Sequence, residues 1–315
     1  MYDLIGDIHG YGTHLKALLK KLGYTERHKV WSHPTRKVIF LGDFVDRGKS
    51  QVETVQIVRD MTENGHALAV MGNHEFNAVA YATPDPQNPE EFLRRHNENN
   101  IRQHAEFISA VGEGSALHQD IIQWFKTLPL YLELEGLRAV HACWHKPSLL
   151  TLKEKYLDNN NCFIAEAWQY AARKEHEAFN AVEIILKGME IKLPDGISFL
   201  DKGGYPREHI RSRWWQTGET TFKATAIVPS NALKLMPDEP IKPDSLPGYD
   251  GKKPLFLGHY WLQAEKPVPL TEHIACLDYS VATEHADEDN KHGKLVAYRW
   301  QGEQTLTEDH FEWVS

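Results

Sequence analysis

Cysteine is scarce in this chain. Three occur in 315 residues, Cys143, Cys162 and Cys276, widely separated and odd in number. No Cys-x-x-Cys pair exists, which excludes a zinc ribbon or a disulfide framework and leaves reduced, buried thiols as the expectation. Long hydrophobic runs are missing as well. Nothing approaches the ~20 apolar residues needed to cross a bilayer, and Asp3 and Asp7 interrupt any signal-like N-terminal segment. A cytoplasmic protein with no membrane partner is therefore expected. Nor is there an excess of positive charge: 35 Lys and Arg stand against 44 Asp and Glu, a formal net charge of -9. A dedicated nucleic-acid binder is more often basic, so nucleic acid is disfavoured as a partner. Internal repeats and low-complexity tracts are absent.

What is present begins with histidine, at 18 residues, and an apolar share of 41%. That share supplies a full core, so one domain over 1–315 with an insertion is expected. Tyr2–Ile5 reads as a strand ending at Gly6. Leu15, Leu18, Leu19 and Leu22 follow at helical spacing, with Gly23 as the stop. Val38–Leu41 reads as a second strand. Ser50 and Glu53 have the spacing of a capping box ahead of an apolar face at Val52, Val55, Val58 and Met61. Ala67–Met71 reads as a third strand. This β-α-β-α-β order argues for a parallel or mixed sheet covered by helices. Residues 84–106, rich in Asn, Gln, Glu and Arg, read as a solvated helical excursion. Leu137–Val140, Leu255–Leu257, Ile274–Leu277 and Leu295–Arg299 resume the strand pattern. Residues 145–254 read as an insertion, helical over Ile164–Leu186 and an irregular loop where Pro229, Pro237, Pro240, Pro243, Pro247 and Pro254 accumulate.

The strand-like runs share an ending. Asp7 and His9 follow the first, Asp43 the second, Asn73 and His74 the third, His141 the fourth and His259 a later one. In an open α/β sheet, ligands bind outside the carboxyl ends of strands, so these polar groups converge although distant in sequence. Imidazole with carboxylate suits divalent transition metals, and the lack of thiolate disfavours structural zinc. Two metals roughly 3.5–4 Å apart clamp an in-line displacement and supply hydroxide near neutral pH. One carboxylate must bridge them, and Asp43 is the natural candidate.

The motifs Gly6-Asp7-Ile8-His9-Gly10, Gly42-Asp43-Phe44-Val45-Asp46-Arg47-Gly48, Gly72-Asn73-His74-Glu75, Val140-His141-Ala142 and Gly258-His259 resemble, in order, those of calcineurin-like metallophosphoesterases. The likeness is to the phosphoprotein-phosphatase-like branch, which includes serine/threonine phosphatases and bacterial diadenosine-tetraphosphatase-like enzymes. Leu277-Asp278-Tyr279 through Gly293-Lys294-Leu295 resembles that family's C-terminal strand pair. The resemblance implies that Asp7, His9 and Asp43 hold one metal, and Asp43, Asn73, His141 and His259 a second. It implies that His74 protonates the leaving oxygen or orients phosphate, that Asp46 holds the His74 ring, and that Arg47, with Asn73, contacts phosphate. Two divalent ions are implied, Mn2+ foremost, with Fe, Zn, Co or Ni as alternatives. A further phosphate-binding arginine is expected between His141 and His259, with Arg213 preferred and Arg211 next. One departure is informative. Many phosphodiesterases of the superfamily carry a second His two positions after the last ligand, where this chain has Trp261.

His104, His118 and His145 lack motif support and read as solvated or structural. Trp144, Trp214 and Trp215 either line a substrate cleft or pack the insertion onto the core. The expected fold is α/β: a four-layer αββα sandwich of two mixed sheets with a mainly helical cap insertion at about 145–254. The expected activity is a metal-dependent phosphatase using a hydroxide held by two metals. Its expected substrates are phosphorylated, as phosphoprotein, nucleotide or other small molecule. A dinucleoside polyphosphate hydrolase and a polynucleotide-end phosphatase are the alternatives within that chemistry. A catalytically silent metal-binding interaction module is the alternative outside it.

Overall fold

Tyr2–Ile5 pairs in parallel with Lys37–Phe40, and that strand in parallel with Ala67–Ala69. On the other side Tyr2–Ile5 pairs antiparallel with Lys294–Trp300, which carries Asp278–Tyr279 and Phe311–Val314. This six-stranded mixed sheet faces a four-stranded one in the order Ile274–Cys276, Leu255–Leu257, Arg138–Val140, Tyr131–Glu133. The first three of those strands run parallel and the last antiparallel. The computed structural model describes residues 1–200, 206–228, 230–242, 245–283 and 293–315.

Alternation along the strands decides which side chains meet. Leu4 and Ile39 from the larger sheet join Ala139, Phe256 and Ala275 from the smaller one in a single buried cluster. Their neighbours Ile5, Val38 and Phe40, and Val140, Leu255 and Leu257, point away into a second cluster with the helices. The helices Gly12–Lys21 and Gln51–Glu63 bury Leu15, Leu18, Leu19, Val55, Val58 and Met61, the face expected from their spacing. The fold is thus α/β with two mixed sheets.

Three local expectations are corrected. Ser50 caps its helix without a side-chain hydrogen bond, and Glu53 instead accepts from Lys16 Nζ at 2.6 Å, so no capping box forms there. Half of that geometry occurs one helix later, where Glu75 Oε2 accepts from the Gly72 N–H at 3.0 Å. Residues 84–106 are only partly helical. A hairpin, Pro84–Asp85 with Asn88–Phe92, precedes the helix Glu98–Val111. Pro84 and Pro89 break any helix at its start, and Phe92 and Tyr81 stack on the two faces of His96 with centroids 4.3 and 3.7 Å away. The insertion is helical mainly in its first part, at Lys146–Lys155, Ala167–Ala171 and Glu177–Lys187, whose buried residues join the main core; the short helices Phe222–Thr225 and Ser230–Leu233 follow later. The stretch between Glu177–Lys187 and the proline-rich part, within a cap expected to be mainly helical, instead forms a three-stranded sheet of Glu190–Lys192, His209–Ser212 and Ala226–Ile227. It has its own small cluster around Leu193, Phe199 and Ile210. Strand pairing there is non-local, so composition gave no warning of it. Pro229 and Pro243 lie outside the described residues.

Candidate metal centre

Because three strands of each sheet are parallel, their carboxyl ends share an edge. Tyr2–Ile5 delivers Asp7 and His9 there, and Lys37–Phe40 delivers Asp43 and Asp46. Ala67–Ala69 leads to Asn73 and His74 at the start of the helix Asn73–Ala82. The second sheet adds His141, His259 and Asp278 after Arg138–Val140, Leu255–Leu257 and Ile274–Cys276. The loops are laced together. Ile8 and His9 donate backbone N–H groups to the Asp43 carbonyl at 3.0 and 2.8 Å, and Gly258 N–H donates to the His141 carbonyl at 2.8 Å. The buried Glu75 carboxylate accepts from the N–H groups of Asp43, Phe44 and Gly72 at 2.8, 2.7 and 3.0 Å. Burial, with Asp43 nearby, pushes that acid up to about 7.

The backbone here is strained, as functional sites commonly are. His9, Asp43, Asp46, Arg47, His259 and Trp261 all take positive φ. Two glycines make the carboxylates fit. A Cβ on Gly72 would fall 2.2 Å from Asp43 Oδ1, and one on Gly258 would fall 2.0 Å from Asp7 Oδ1.

Asp43 lies between two groups of donors, His9–Asp43–His74 and Asp43–His141–His259, whose donor atoms lie within 4.8 Å of one another. His9 Nδ1 donates to the Val45 carbonyl at 3.0 Å. Its Nε2 then faces Asp43 Oδ2 at 3.7 Å, buried and without a hydrogen-bond partner. His141 Nδ1 donates to the Leu41 carbonyl at 2.7 Å, leaving Nε2 3.4 Å from Asp43 Oδ2. Asn73 Oδ1 stands 3.1 Å from His141 Nε2 and 2.8 Å from His259 Nδ1, so the amide belongs with the second group. His259 Nε2 is buried and unpartnered. Asp7 falls in neither donor triad. Its carboxylate accepts the His259 N–H at 3.0 Å, and burial with Asp278 drives its pKa well above the usual range.

These features fit divalent cations. Backbone carbonyls fix the tautomers of His9 and His141, an arrangement typical of metal-ligating histidines. Asp7, Asp43 and Asp278 are buried together, and buried carboxylates need pairing or a metal. The donor set of imidazole, carboxylate and amide oxygen, without thiolate, suits Mn, Fe, Zn, Co or Ni.

His74, a member of the first donor group, is half-buried and its Nδ1 is hydrogen-bonded to Asp46 Oδ2. Burial opposes a charged Asp46, but His74 and His104 hold it below the usual carboxylate range. Burial alone would lower His74; Asp43 and Asp46 outweigh it and raise it. The Arg47 guanidinium lies 3.8 Å from the centroid of the Trp261 ring, whose backbone N–H donates to Asp278 Oδ2 at 2.8 Å. After burial, Arg47 is the largest influence lowering His9. Of the two insertion arginines, Arg213 is exposed. Arg211 is half-buried, and after burial its charge is what most depresses His259.

The tryptophans pack. Trp214 is fully buried, its indole N–H donating to the Ala142 carbonyl at 3.2 Å and the Tyr260 hydroxyl at 2.9 Å. Trp144 lies edge-on to Tyr131 and under Arg138. His118 and His145 make local contacts with Gly114 and Ser148. Three site residues were missed from sequence. Asp278 follows a strand-like run as the others do, so that signal was available. Glu75 was legible only as part of a motif. His104 sits mid-helix in a polar stretch and gave no signal.

The model of the calcineurin-like phosphoesterase family matches residues 2–193, and the chain belongs to that family. Among curated relatives, it is similar to the asymmetrical bis(5'-nucleosyl)-tetraphosphatase PrpE of Bacillus subtilis (strain 168), with 31% identity over 131 residues, 41% of this chain and 51% of the relative. The enzyme of the same name from Anoxybacillus flavithermus is 41% identical over 75 residues, 24% of this chain and 31% of the relative. The chain thus spans about half of the first relative's length and about a third of the second's. The fold is also that of a cold-active protein-tyrosine phosphatase from a psychrophilic Shewanella. That likeness has a TM-score of 0.51 and 16% identity, and covers 94% of this chain and 74% of the other.

Proposed function

We propose that this chain is a metal-dependent phosphatase that hydrolyses phosphate esters or anhydrides, with nucleotide-type or phosphoprotein monoesters as substrates. The observation that carries the reading is one carboxylate shared by two donor groups: Asp43 Oδ2 faces His9 Nε2 at 3.7 Å and His141 Nε2 at 3.4 Å. In this reading Asp7, His9 and Asp43 hold one divalent ion, and Asp43, Asn73, His141 and His259 another. Mn2+ is the first choice for both. Such ions polarise a phosphoryl group and make water nucleophilic near neutral pH.

The protein's own residues do the rest. Arg47, packed over the Trp261 ring, presents a guanidinium whose planar fork matches phosphate oxygens. The N-terminus of the helix Asn73–Ala82 opens onto the same edge and favours negative charge. His74 gives its Nε2 proton to the leaving oxygen as the phosphorus–oxygen bond breaks, while Asp46 accepts from Nδ1 and keeps the ring oriented. Arg211, from the insertion, contributes positive charge on the His259 side. Asp46 and His74 have no need to be paired in a silent interaction module, which argues against that alternative.

The names of the Bacillus and Anoxybacillus relatives favour a second reading of the substrate, a dinucleoside polyphosphate cleaved asymmetrically. A turnover screen with Mn2+ over phosphopeptides, mononucleotides, dinucleoside polyphosphates and simple diesters separates the two. Preferred release of a mononucleotide from a dinucleoside tetraphosphate would establish the second reading, and no turnover of any substrate would overturn both.

The two cores support a four-layer αββα arrangement. The bonds of Ala142 and Cys143 N–H to the Ile185 carbonyl support one domain over 1–315, with 145–254 inserted in it. Unpaired cysteines suit a reducing cytoplasm.

A further inference from the structure

Among the described residues, His104 and His118 are buried histidines that the proposed chemistry leaves unused, and of the two His104 reaches a site residue. It comes from the helix Glu98–Val111, which starts at an Asn97 cap accepting the Asn100 N–H at 2.9 Å. Its ring is wedged between Tyr81 and Phe107, with centroids 5.1 and 4.9 Å away. Its Nδ1 lies 2.7 Å from Asp46 Oδ1, the oxygen that His74 does not use. Its Nε2 is buried with no hydrogen-bond partner. A space-filling histidine would gain nothing by aiming a donor at the free oxygen of this one carboxylate.

Asp46 needs an anchor. It takes a positive φ of 69°, and its backbone N–H is held by Gln51 Oε1 at 2.8 Å. That bond fixes the main chain but leaves rotation about the side-chain bonds free. A carboxylate held by one ring alone can turn away from it; one held at both oxygens by rings on two different helices cannot. We propose that His104 is a positioning residue for the phosphatase reaction: by donating from Nδ1 to Asp46 Oδ1, it locks the carboxylate so that Oδ2 orients His74. The aromatic column of Phe92, His96, Tyr81, His104 and Phe107 sets the position of that donor.

This inference rests on the reading of His74 as proton donor, so its test has one arm that needs no turnover. His104→Phe removes the donor but keeps a ring in the column. With an activated aryl phosphate and Mn2+, His104→Phe is expected to lower kcat about tenfold, the usual effect of losing an outer hydrogen-bond partner, with KM and metal content unchanged. His104→Asn, which restores an N–H near the Nδ1 position, is expected to regain most of that loss. In a His74→Ala background, His104→Phe should cost nothing more. Independently, the 1H–15N signal of the His74 ring should move in His104→Phe and return in His104→Asn, whether or not any phosphate is cleaved. Unchanged kcat in a folded His104→Phe, a full further loss in the His74→Ala background, or an unmoved His74 signal would overturn the proposal. Loss of the signal shift tells against His104 alone, whereas an inactive parent protein with the shift intact tells against the phosphatase reading alone.

Discussion

At the scale of single residues, the proposed function gives Asp43 the holding of ions and His74 the moving of protons, and the two roles can be separated by mutation. His74→Ala removes the proton donor but leaves the donor atoms of His9, Asp43, Asn73, His141 and His259 in place. Turnover of an activated aryl phosphate should fall by about 10²–10³, within the range for general acid–base groups, while elemental analysis still finds the bound metal. Undiminished turnover would remove His74 from the mechanism. Asp43 is shared by both donor groups, so Asp43→Asn should lose both metal equivalents by the same analysis. Retention of two equivalents would show that it does not bridge. Legibility at this scale was uneven. Each motif residue announced itself by following a strand-like run. His104 could not, because its role comes from a 2.7 Å contact with a residue 58 positions away and its own neighbours are ordinary helix.

At the scale of elements, the proposed function draws its second cation, Arg211, from the insertion. Strand alternation puts Ile210 and Ser212 inward as buried residues and leaves Arg211 between them on the other face. Arg213 lies beyond the strand and is exposed. Arg211→Ala should therefore lower kcat/KM about tenfold, the value of a hydrogen bond to a charged group, whereas Arg213→Ala should stay near the parent value. Steady-state kinetics on one aryl phosphate and one nucleotide checks this, and equal losses for both variants would reject the assignment. The order of preference from sequence was the reverse. The choice between two arginines two residues apart turns on where a strand ends, and this strand exists only by pairing with Glu190–Lys192 and Ala226–Ile227.

At the scale of the whole molecule, two sheets and their helices gather Asp7, Asp43, Asp46, Glu75 and Asp278 into one buried edge. Without cations, protons must take part of that load. Burial disfavours a charged His141, yet Asp43, Asp7 and the Leu41 carbonyl overcome it and hold its pKa up to about 10. The sign follows directly. Below pH 10 the metal-free protein carries a proton on His141 that must leave before Nε2 can bind an ion. Mn2+ binding between pH 7 and 9 should thus release protons, and the release should fade as pH rises through 10. Calorimetric titrations in two buffers of different ionisation heat measure this, and identical heats in both would contradict it. Ion binding should also raise Tm, since a ligand at 100 times its Kd stabilises by about 2.7 kcal/mol.

The sequence by itself determined most strands of the two sheets (Tyr131–Glu133 and Phe311–Val314 excepted), the order of the motifs and the chemical types of the donors. All of these depend on local patterning: apolar runs of strand length, each closed by a small residue and a polar group. Tertiary structure alone decided how closely Asp43 and Asn73 approach the histidines around them, and that His74 joins His9 beside Asp43. It also decided that the Arg47 guanidinium lies over the Trp261 ring, and that a helix from the polar excursion returns His104 to Asp46. Those are distances between residues far apart in the chain, set by how two sheets align their ends, and no local pattern encodes them.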